Sequence, residues 1–405
     1  MVAALRRRGT ARVVVPSDSA AEARLVEGIA VHPAADLASA LAAIRSGRAA
    51  RPATNPARID LIGSPGGATG RALSVGGGAM PVDSAEVPDL AEVRGQAVAR
   101  RALEIALAGV HALLLVGPPG SGKTLLARTI PGLLPPLDEG DALTATAIRS
   151  AAGEGPILAL DARRPFRAPH HTISYAGMVG GGPVLAPGEV TRAHRGVLFL
   201  DELPEFARDV LEALRQPLEE GRVAIVRVGR ALVLPARFQL VAAMNPCPCG
   251  GSGDSEPGCR CRPGIPQRYA ARVSGPLRDR IDLWVEMPRV PPASLVGSHG
   301  GEGSAPVAAR IAAAQRLQVE QRGCLNGALT GSRLRGACRL AQPERSRVVN
   351  LADGLDLSAR GVERLLRAAR TIADLDGSEV VRRAHLDEAG RFRALGSRLA
   401  GQMAV

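Results

Sequence analysis

Apolar and polar positions along the chain fall into runs whose period changes several times, and each change marks an element. Residues 11–50 read as strand, helix, strand, helix. ARVVVP is short and β-branched, SAAEARLVEG follows a serine suited to cap it, GIAVHP is a second strand, and DLASALAAIRSG has apolar residues at helical spacing. From residue 51 to 88, Gly, Pro, Ala and Ser dominate, as in SPGGATG and SVGGGAMP, the composition of a linker. Beyond Asp89 the runs lengthen. LAEVRGQAVARRALEIALAG has a helical period throughout, and HALLLVG is an unbroken apolar run, as in a strand buried on both faces. GVLFLDE (196–202) and FQLVAAMNP (238–246) are two further runs of that kind with helical stretches between them, which predicts βαβ units and a parallel sheet. GRVAIVRVGRALVLPARF (221–238) alternates on both sides of VGR and predicts a hairpin. LWVEMPRV and the Gly/Ser-rich GSHGGEGSAP follow, and from about Ser304 every pattern is helical.

Composition changes this picture in three ways. The 405 residues suffice for two or three domains with real cores, but only 2% are aromatic, so Ala, Val and Leu must fill the interior. The formal charge of +12 points to a polyanionic partner, nucleic acid first, or to a genome biased toward arginine, and no dense basic block marks a tail. The opening MVAALRRRGTARVVVP has no apolar run long enough for a signal peptide, and no stretch approaches the ~20 apolar residues of a membrane helix. Six cysteines without an export signal fit a reducing compartment, so the expected location is the cytoplasm.

Of the 51 basic residues only Lys123 is lysine. It lies in GPPGSGKT (117–124), which fits G-x-x-x-x-G-K-[ST] between a predicted strand and helix. Gly117, Pro118, Pro119, Gly120, Ser121, Gly122, Lys123 and Thr124 are therefore the candidates for holding ATP, with Lys123 reaching two phosphates and Thr124 holding Mg²⁺ through its hydroxyl. A compact ammonium suits that task where a planar guanidinium does not. Asp201 and Glu202 end an apolar run, where ligands bind in open α/β sheets; Asp201 suits the Mg²⁺ shell and Glu202 a base that orients water. The competing reading is an acidic pair capping the next helix. Asn245 ends the third run and could hydrogen-bond the same water or phosphate, and Arg278 and Arg280 follow in GPLRDRID.

Two segments hold other chemistry. Cys247, Cys249, Cys259 and Cys261 form C-x-C-x₉-C-x-C, four thiols able to close a structural Zn²⁺ site or to stand as reduced loop cysteines; Cys324 and Cys338 read as inert. RPFRAPHHTISYAGMVGGGP (164–183) holds His170 and His171. Neighbours on a strand point to opposite faces and chelate poorly, so this segment reads as a loop or insertion rather than a metal site. Arg227 and Arg230, near the predicted hairpin tip, could meet a phosphate backbone or be merely solvated.

From Asp89 onward, over about 350 residues, the chain resembles the YifB/ComM-type, magnesium chelatase-like AAA+ ATPases. The motifs that carry the likeness are VRGQ, RRALEIALAG, GPPGSGKT, RPFRAPHHTIS, GVLFLDELPEF, LRQPLEEG, PARFQLVAAMNPCPCG, SGPLRDRID and SARGVERLLRAARTIADL. The resemblance implies an α/β AAA+ P-loop core with a parallel sheet over 89–295 and a C-terminal helical lid over 304–405. It also implies a homo-oligomeric ring, taken as a hexamer, hydrolysing ATP between subunits. It assigns Asn245 as sensor 1, Arg280 as an arginine finger acting on a neighbour, and Arg360 as sensor 2, with Arg364 as second candidate; Arg278 stands where such proteins usually carry Leu. The 164–183 segment becomes a loop or insertion facing the ring's pore. Residues 1–50 resemble the tail of a Lon-protease-like domain, the sequence starting inside it, ahead of a flexible linker over 51–88. The implied function is a motor on DNA, in helicase or branch-migration work during recombination or natural transformation, with sequence-independent backbone contacts because stacking side chains are few. The alternative is the ATPase subunit of a magnesium chelatase-like complex.

Overall fold

The computed structural model describes residues 1–46, 87–155, 157–181, 185–227, 230–251, 258–291 and 301–401. The expected linker thus lies outside the described residues except for its last two. The chain forms two compact units: Met1–Ala72 with Pro136–Arg163, and Leu73–Pro135 with Arg164–Val405.

In the first unit the strands Arg12–Pro16 and Ala30–Ala34 pair in parallel, Val13 opposite Val31, and bury Val13 and Val15 against Ala20 and Ala23. The serine expected to cap the intervening helix does not: Ser17–Ser19 is a 3₁₀ turn, Ala20–Ala23 is a single helical turn, and Ser19 makes no capping bond. The cap falls on Leu37–Ser46, where Asp36 Oδ1 accepts from the Ser39 N–H at 2.7 Å. Glu139–Ala151 is capped likewise, Asp138 accepting from the Asp141 N–H at 2.8 Å.

The second unit is built on a five-stranded sheet: β1 (Leu113–Val116), β2 (Phe166–Arg167), β3 (Val197–Leu200), β4 (Gln239–Met244) and β5 (Leu283–Glu286). Its order is β5-β1-β4-β3-β2 and every pairing is parallel, as the apolar runs predicted. Both faces are covered, and the period of two sorts the side chains. Leu113, Leu115, Phe199, Val241 and Ala243 point into one core, while Leu114, Leu198, Leu200, Leu240 and Ala242 point into the other. With aromatics scarce, alanine brings helices close. Ala99, Ala102, Ala106, Ala368, Ala369 and Ala373 are all fully buried in the first core, contributed by the helices Ala97–Gly109 and Ala359–Leu375. A Cβ on Gly109 would lie 2.5 Å from Thr371 Oγ1, so that approach needs glycine.

Two local expectations change and a third holds. The helix expected from residue 90 breaks into a 3₁₀ turn, Leu90–Glu92, with an Asp89/Glu92 capping box; Gly95, at φ +68°, then lets the chain restart at Ala97. The 164–183 segment is not wholly loop, since it supplies the edge strand β2 and the helix Tyr175–Val179. The hairpin is present, Arg222–Arg227 pairing antiparallel with Arg230–Pro235. Its tip residues 228 and 229, and the side chains of Arg227 and Arg230 proposed for a phosphate backbone, lie outside the described residues. From Ser304 the chain is helical: Ser304–Arg322, Gly331–Cys338, Gln342–Gly354, Ala359–Leu375 and Arg383–Gly401. Among the described residues no helix is long and apolar enough to cross a membrane.

Candidate nucleotide site

The glycine-rich loop leaves β1 at the C-terminal edge of the sheet. Gly117 N–H donates to Met244 O of β4 (3.1 Å), and a Cβ on Gly117 would lie 2.2 Å from Met287 O, so only glycine clears the neighbouring backbone. Gly120 and Gly122 take φ of +79° and +92°, left-handed values that favour glycine and turn the loop back on itself. The Gln96 amide secures it, donating to Ser121 O (3.0 Å) and Pro288 O (2.7 Å). Gln96 carried no individual role in the sequence reading, because a lone Gln gives no signal without its partners.

The helix Lys123–Arg128 begins directly after the loop. Lys123 is 7% exposed, and its ammonium donates to Gly117 O (2.7 Å), Pro118 O (2.9 Å) and Asn245 Oδ1 (3.2 Å). Burial pushes its pKa below the ordinary lysine value, against the pull of Asp201 and Glu202. Thr124 Oγ1 donates to Asp201 Oδ2 at 2.6 Å, while the Glu202 N–H donates to Asp201 Oδ1 at 2.9 Å. Glu202 is held at φ +53°, ψ +46°, a left-handed conformation that costs a non-glycine residue about 1–3 kcal/mol. The strain turns its carboxylate outward, where it is 53% exposed and 3.3 Å from His171 Nδ1.

That histidine pair departs from expectation. His170 and His171 lie beyond β2 in a turn, not on a strand, and their rings stand 4.1 Å apart rather than on opposite faces. Because β2 pairs with β3, the chain leaving β2 brings His171 to the carboxylate that follows β3. No acidic side chain caps the next helical turns: Glu202 is the N-cap residue of the 3₁₀ turn Leu203–Glu205 and Ala207 that of the helix Arg208–Ala213, and neither makes a side-chain capping bond.

Lys123, Thr124, Asp201, Glu202, Asn245 and His171 therefore meet at one edge of the sheet. The residues fit ATP with a divalent cation. A desolvated ammonium faces two carboxylates, and among the described residues the buried Ser121 hydroxyl has no partner and nothing fills the spaces beside Gly120 and Gly122.

Four arginines are elsewhere. Arg280, whose side chain is 12% exposed, donates to Pro276 O and to the Glu219 carboxylate. Arg278 is half-buried, which lowers its pKa. Arg360 is exposed in the first turn of Ala359–Leu375. Arg364, one turn on, is buried 3.5 Å from Asp282, and desolvation takes its pKa down to about 10. Asp282 in turn accepts from the Ala112 N–H (2.9 Å), just before β1, whereas the glycine-rich loop follows the end of that strand. Arg364 thus sits at the opposite edge of the sheet from Lys123.

The four clustered cysteines come together, their sulfurs all within 4.8 Å of one another. Cys324 is half-buried, and Cys338 is buried with its thiol pushed up to about 12 by desolvation.

Family models match two stretches of the chain: magnesium chelatase, subunit ChlI, over residues 89–295, and the ChlI C-terminal model over residues 301–393. The YifB protein of Escherichia coli is 46% identical over 308 residues, 76% of this chain and 60% of its own length. Competence protein ComM of Haemophilus influenzae is 43% identical over 308 residues, with the same two shares. The Rv2897c protein of Mycobacterium tuberculosis is 42% identical over 386 residues, 93% of this chain and 71% of its own length. The chain thus spans about 60% of the length of the first two relatives.

Proposed function

Since the chain belongs to the magnesium chelatase ChlI family of AAA+ proteins, we propose that it is an ATP-hydrolysing ring motor that acts on DNA, in helicase or branch-migration work during recombination or natural transformation. The observation that carries the ATPase reading is the convergence of Lys123, Thr124, Asp201 and Glu202 at one sheet edge. Gly117 to Gly122 would cradle the phosphates with backbone N–H groups, and Lys123 would trade carbonyl partners for phosphate oxygens. Thr124 and Asp201 would hold Mg²⁺, whose charge neutralises that building on the phosphates. Glu202 orients a water and accepts its proton, and Asn245, already on Lys123, aligns that water. His171 positions the Glu202 carboxylate.

Arg280 and Arg360 are assigned to a neighbouring copy's nucleotide. Arg360 lies one turn from Arg364, whose Asp282 partner is at the far edge of the sheet, so its own cradle is not its target. Arg280 would leave Glu219 when a neighbour's phosphate competes for it. This division of labour calls for a ring, and a hexamer is the reading adopted, with residues 89–295 as the ATPase core and 304–405 as its lid.

DNA as the partner is supported by the likeness to a competence protein and by the net charge of +12. Few aromatic residues are present for base stacking, so backbone contact should dominate. The second reading, the ATPase subunit of a magnesium chelatase-like complex, is favoured by the description of both matching family models. ATP hydrolysis measured with and without forked or single-stranded DNA separates the two. DNA should accelerate turnover several-fold at low salt and lose that effect steeply as salt rises. No acceleration at low salt overturns the DNA reading and favours the chelatase-like one.

A further inference from the structure

Two residues after Asn245 the chain enters Cys247-Pro248-Cys249-Gly250-Gly251, and Cys259 and Cys261 return to the same place. The sulfurs of Cys247 and Cys249 are 3.4 Å apart, and Cys259 lies 3.8 Å from each of them. The Cys261 sulfur joins them, all four lying within 4.8 Å of one another. Four thiolates at a Zn–S distance of about 2.3 Å occupy a tetrahedron whose edges are about 3.8 Å. The sulfurs are therefore spaced as ligands of one ion, and all four cysteines are free of disulfides. The backbone is shaped to bring them there. The Gly250 N–H donates to Cys247 O at 3.0 Å, closing the first knuckle, and a Cβ on Gly251 would lie 2.4 Å from Gly258 O, so the two cysteine pairs approach through glycine.

The geometry points to a tetrathiolate site for one zinc ion, placed so that its occupancy holds one wall of the nucleotide cradle. Thiolate sulfur is the donor set that selects zinc over the harder cations around phosphates. Cys247, three residues beyond the end of β4, is fully buried. Gly250, at φ +74°, lies against the loop that carries Lys123, and a Cβ there would come within 2.3 Å of Pro119 Cδ. On the other side, Asn245 accepts from the Lys123 ammonium. The knot is thus wedged between two groups of the cradle, Pro119 and Asn245. Its role in shaping that cradle rests on the nucleotide reading above, while the metal site rests on the thiols alone.

The test uses the full chain purified from zinc-supplemented cells, with metal content measured by mass spectrometry. About one zinc per chain is expected, and cobalt exchanged into the site should give the intense visible absorption of tetrahedral thiolate coordination. Cys259→Ser changes an exposed residue and should lose most of the bound zinc while the far-ultraviolet circular dichroism is retained. A metal-free wild type, iron in place of zinc, or a Cys259→Ser variant with full zinc content each overturns the site. Binding of a fluorescent ATP analogue, before and after the metal is stripped with a chelator, then tests the coupling. Stripping should weaken binding about tenfold, and Zn²⁺ but not Mg²⁺ should restore it. Unchanged binding after stripping overturns the coupling and leaves the site standing. Failure of the nucleotide reading looks different: Lys123→Ala would then bind the analogue as well as the wild type does, with its zinc intact.

Discussion

The two edges of the central sheet carry similar residue types and use them in opposite ways. At the C-terminal edge, Lys123, Thr124, Asp201, Glu202, Asn245 and His171 are held by short-range bonds to one another, with Glu202 strained and outward-facing and the Ser121 hydroxyl without a partner among the described residues. At the N-terminal edge, charge is consumed internally. The Gln239 amide donates to Ala106 O and His111 O, both at 2.8 Å, and Asp282 takes the Ala112 N–H and lies 3.5 Å from both Arg364 and Arg367. The network continues through Thr371, which meets His111 Nε2 at 2.8 Å and receives the Asn326 amide at 3.1 Å. Asp374, one turn further along that helix, pairs with Arg322 and Arg370. One edge keeps its polar groups exchangeable for a ligand; the other spends them on fastening the C-terminal helices to the sheet.

Substitutions at the two edges should therefore fail in different assays. The largest effect is expected from Glu202→Gln, which removes the base without changing shape. ATP turnover should fall about a thousandfold while nucleotide affinity and the unfolding midpoint stay within error, and undiminished hydrolysis sinks the assignment. Asp374→Ala should do the reverse. Arg370, 1% exposed, and its neighbour Arg322 would lose their carboxylate, costing about 3–5 kcal/mol in urea unfolding. A loss below 1 kcal/mol would mean that this edge is not the fastening described.

Acid should weaken the fastened edge through His111. Burial, opposed by Asp282 and reinforced by Arg367, takes its pKa from 6.5 to about 4. Between those values the unfolded chain binds a proton that the folded chain refuses. Stability present above pH 6.5 is therefore lost as pH falls toward 4, by roughly 3 kcal/mol at most. In His111→Asn the slope of stability against pH across that window should shrink, and an unchanged slope counts against His111 as its source. The smallest effect belongs to His171→Ala, where loss of the carboxylate's neighbour should lower kcat for ATP about tenfold with KM little changed. His171→Gln should recover part of it, and a pure KM effect would assign His171 to binding instead.

How much of this the sequence discloses depends on whether the chemistry is local. Gly117 to Thr124 are contiguous because one loop must wrap one group of phosphates, and Asp201 and Glu202 announce themselves by ending an apolar run. The parallel sheet was legible because strands covered on both faces read as nearly unbroken apolar runs, LLLV, VLFL and LVAAM among them. The four cysteines stand close in the chain as C-x-C-x₉-C-x-C, so they were legible as one candidate cluster. His171 was not legible as a neighbour of Glu202, because their meeting depends on β2 lying beside β3, a pairing of only two residues on each strand. Asp282 reads as any acid beside any arginine until β1 and β5 pair and bring the Ala112 N–H to it. The break at Gly95 was hidden by a helical period that ran through it unchanged.

The lone lysine has a further consequence. A reagent or enzyme that acylates side-chain amines meets a single ε-amine among the 405 residues, and that amine lies 7% exposed among loop carbonyls. Every lysine-directed modification of this chain, chemical or biological, has one address, and that address is the proposed ATP cradle. Labelling chemistry that reports an average over many sites in most proteins would here report the state of one.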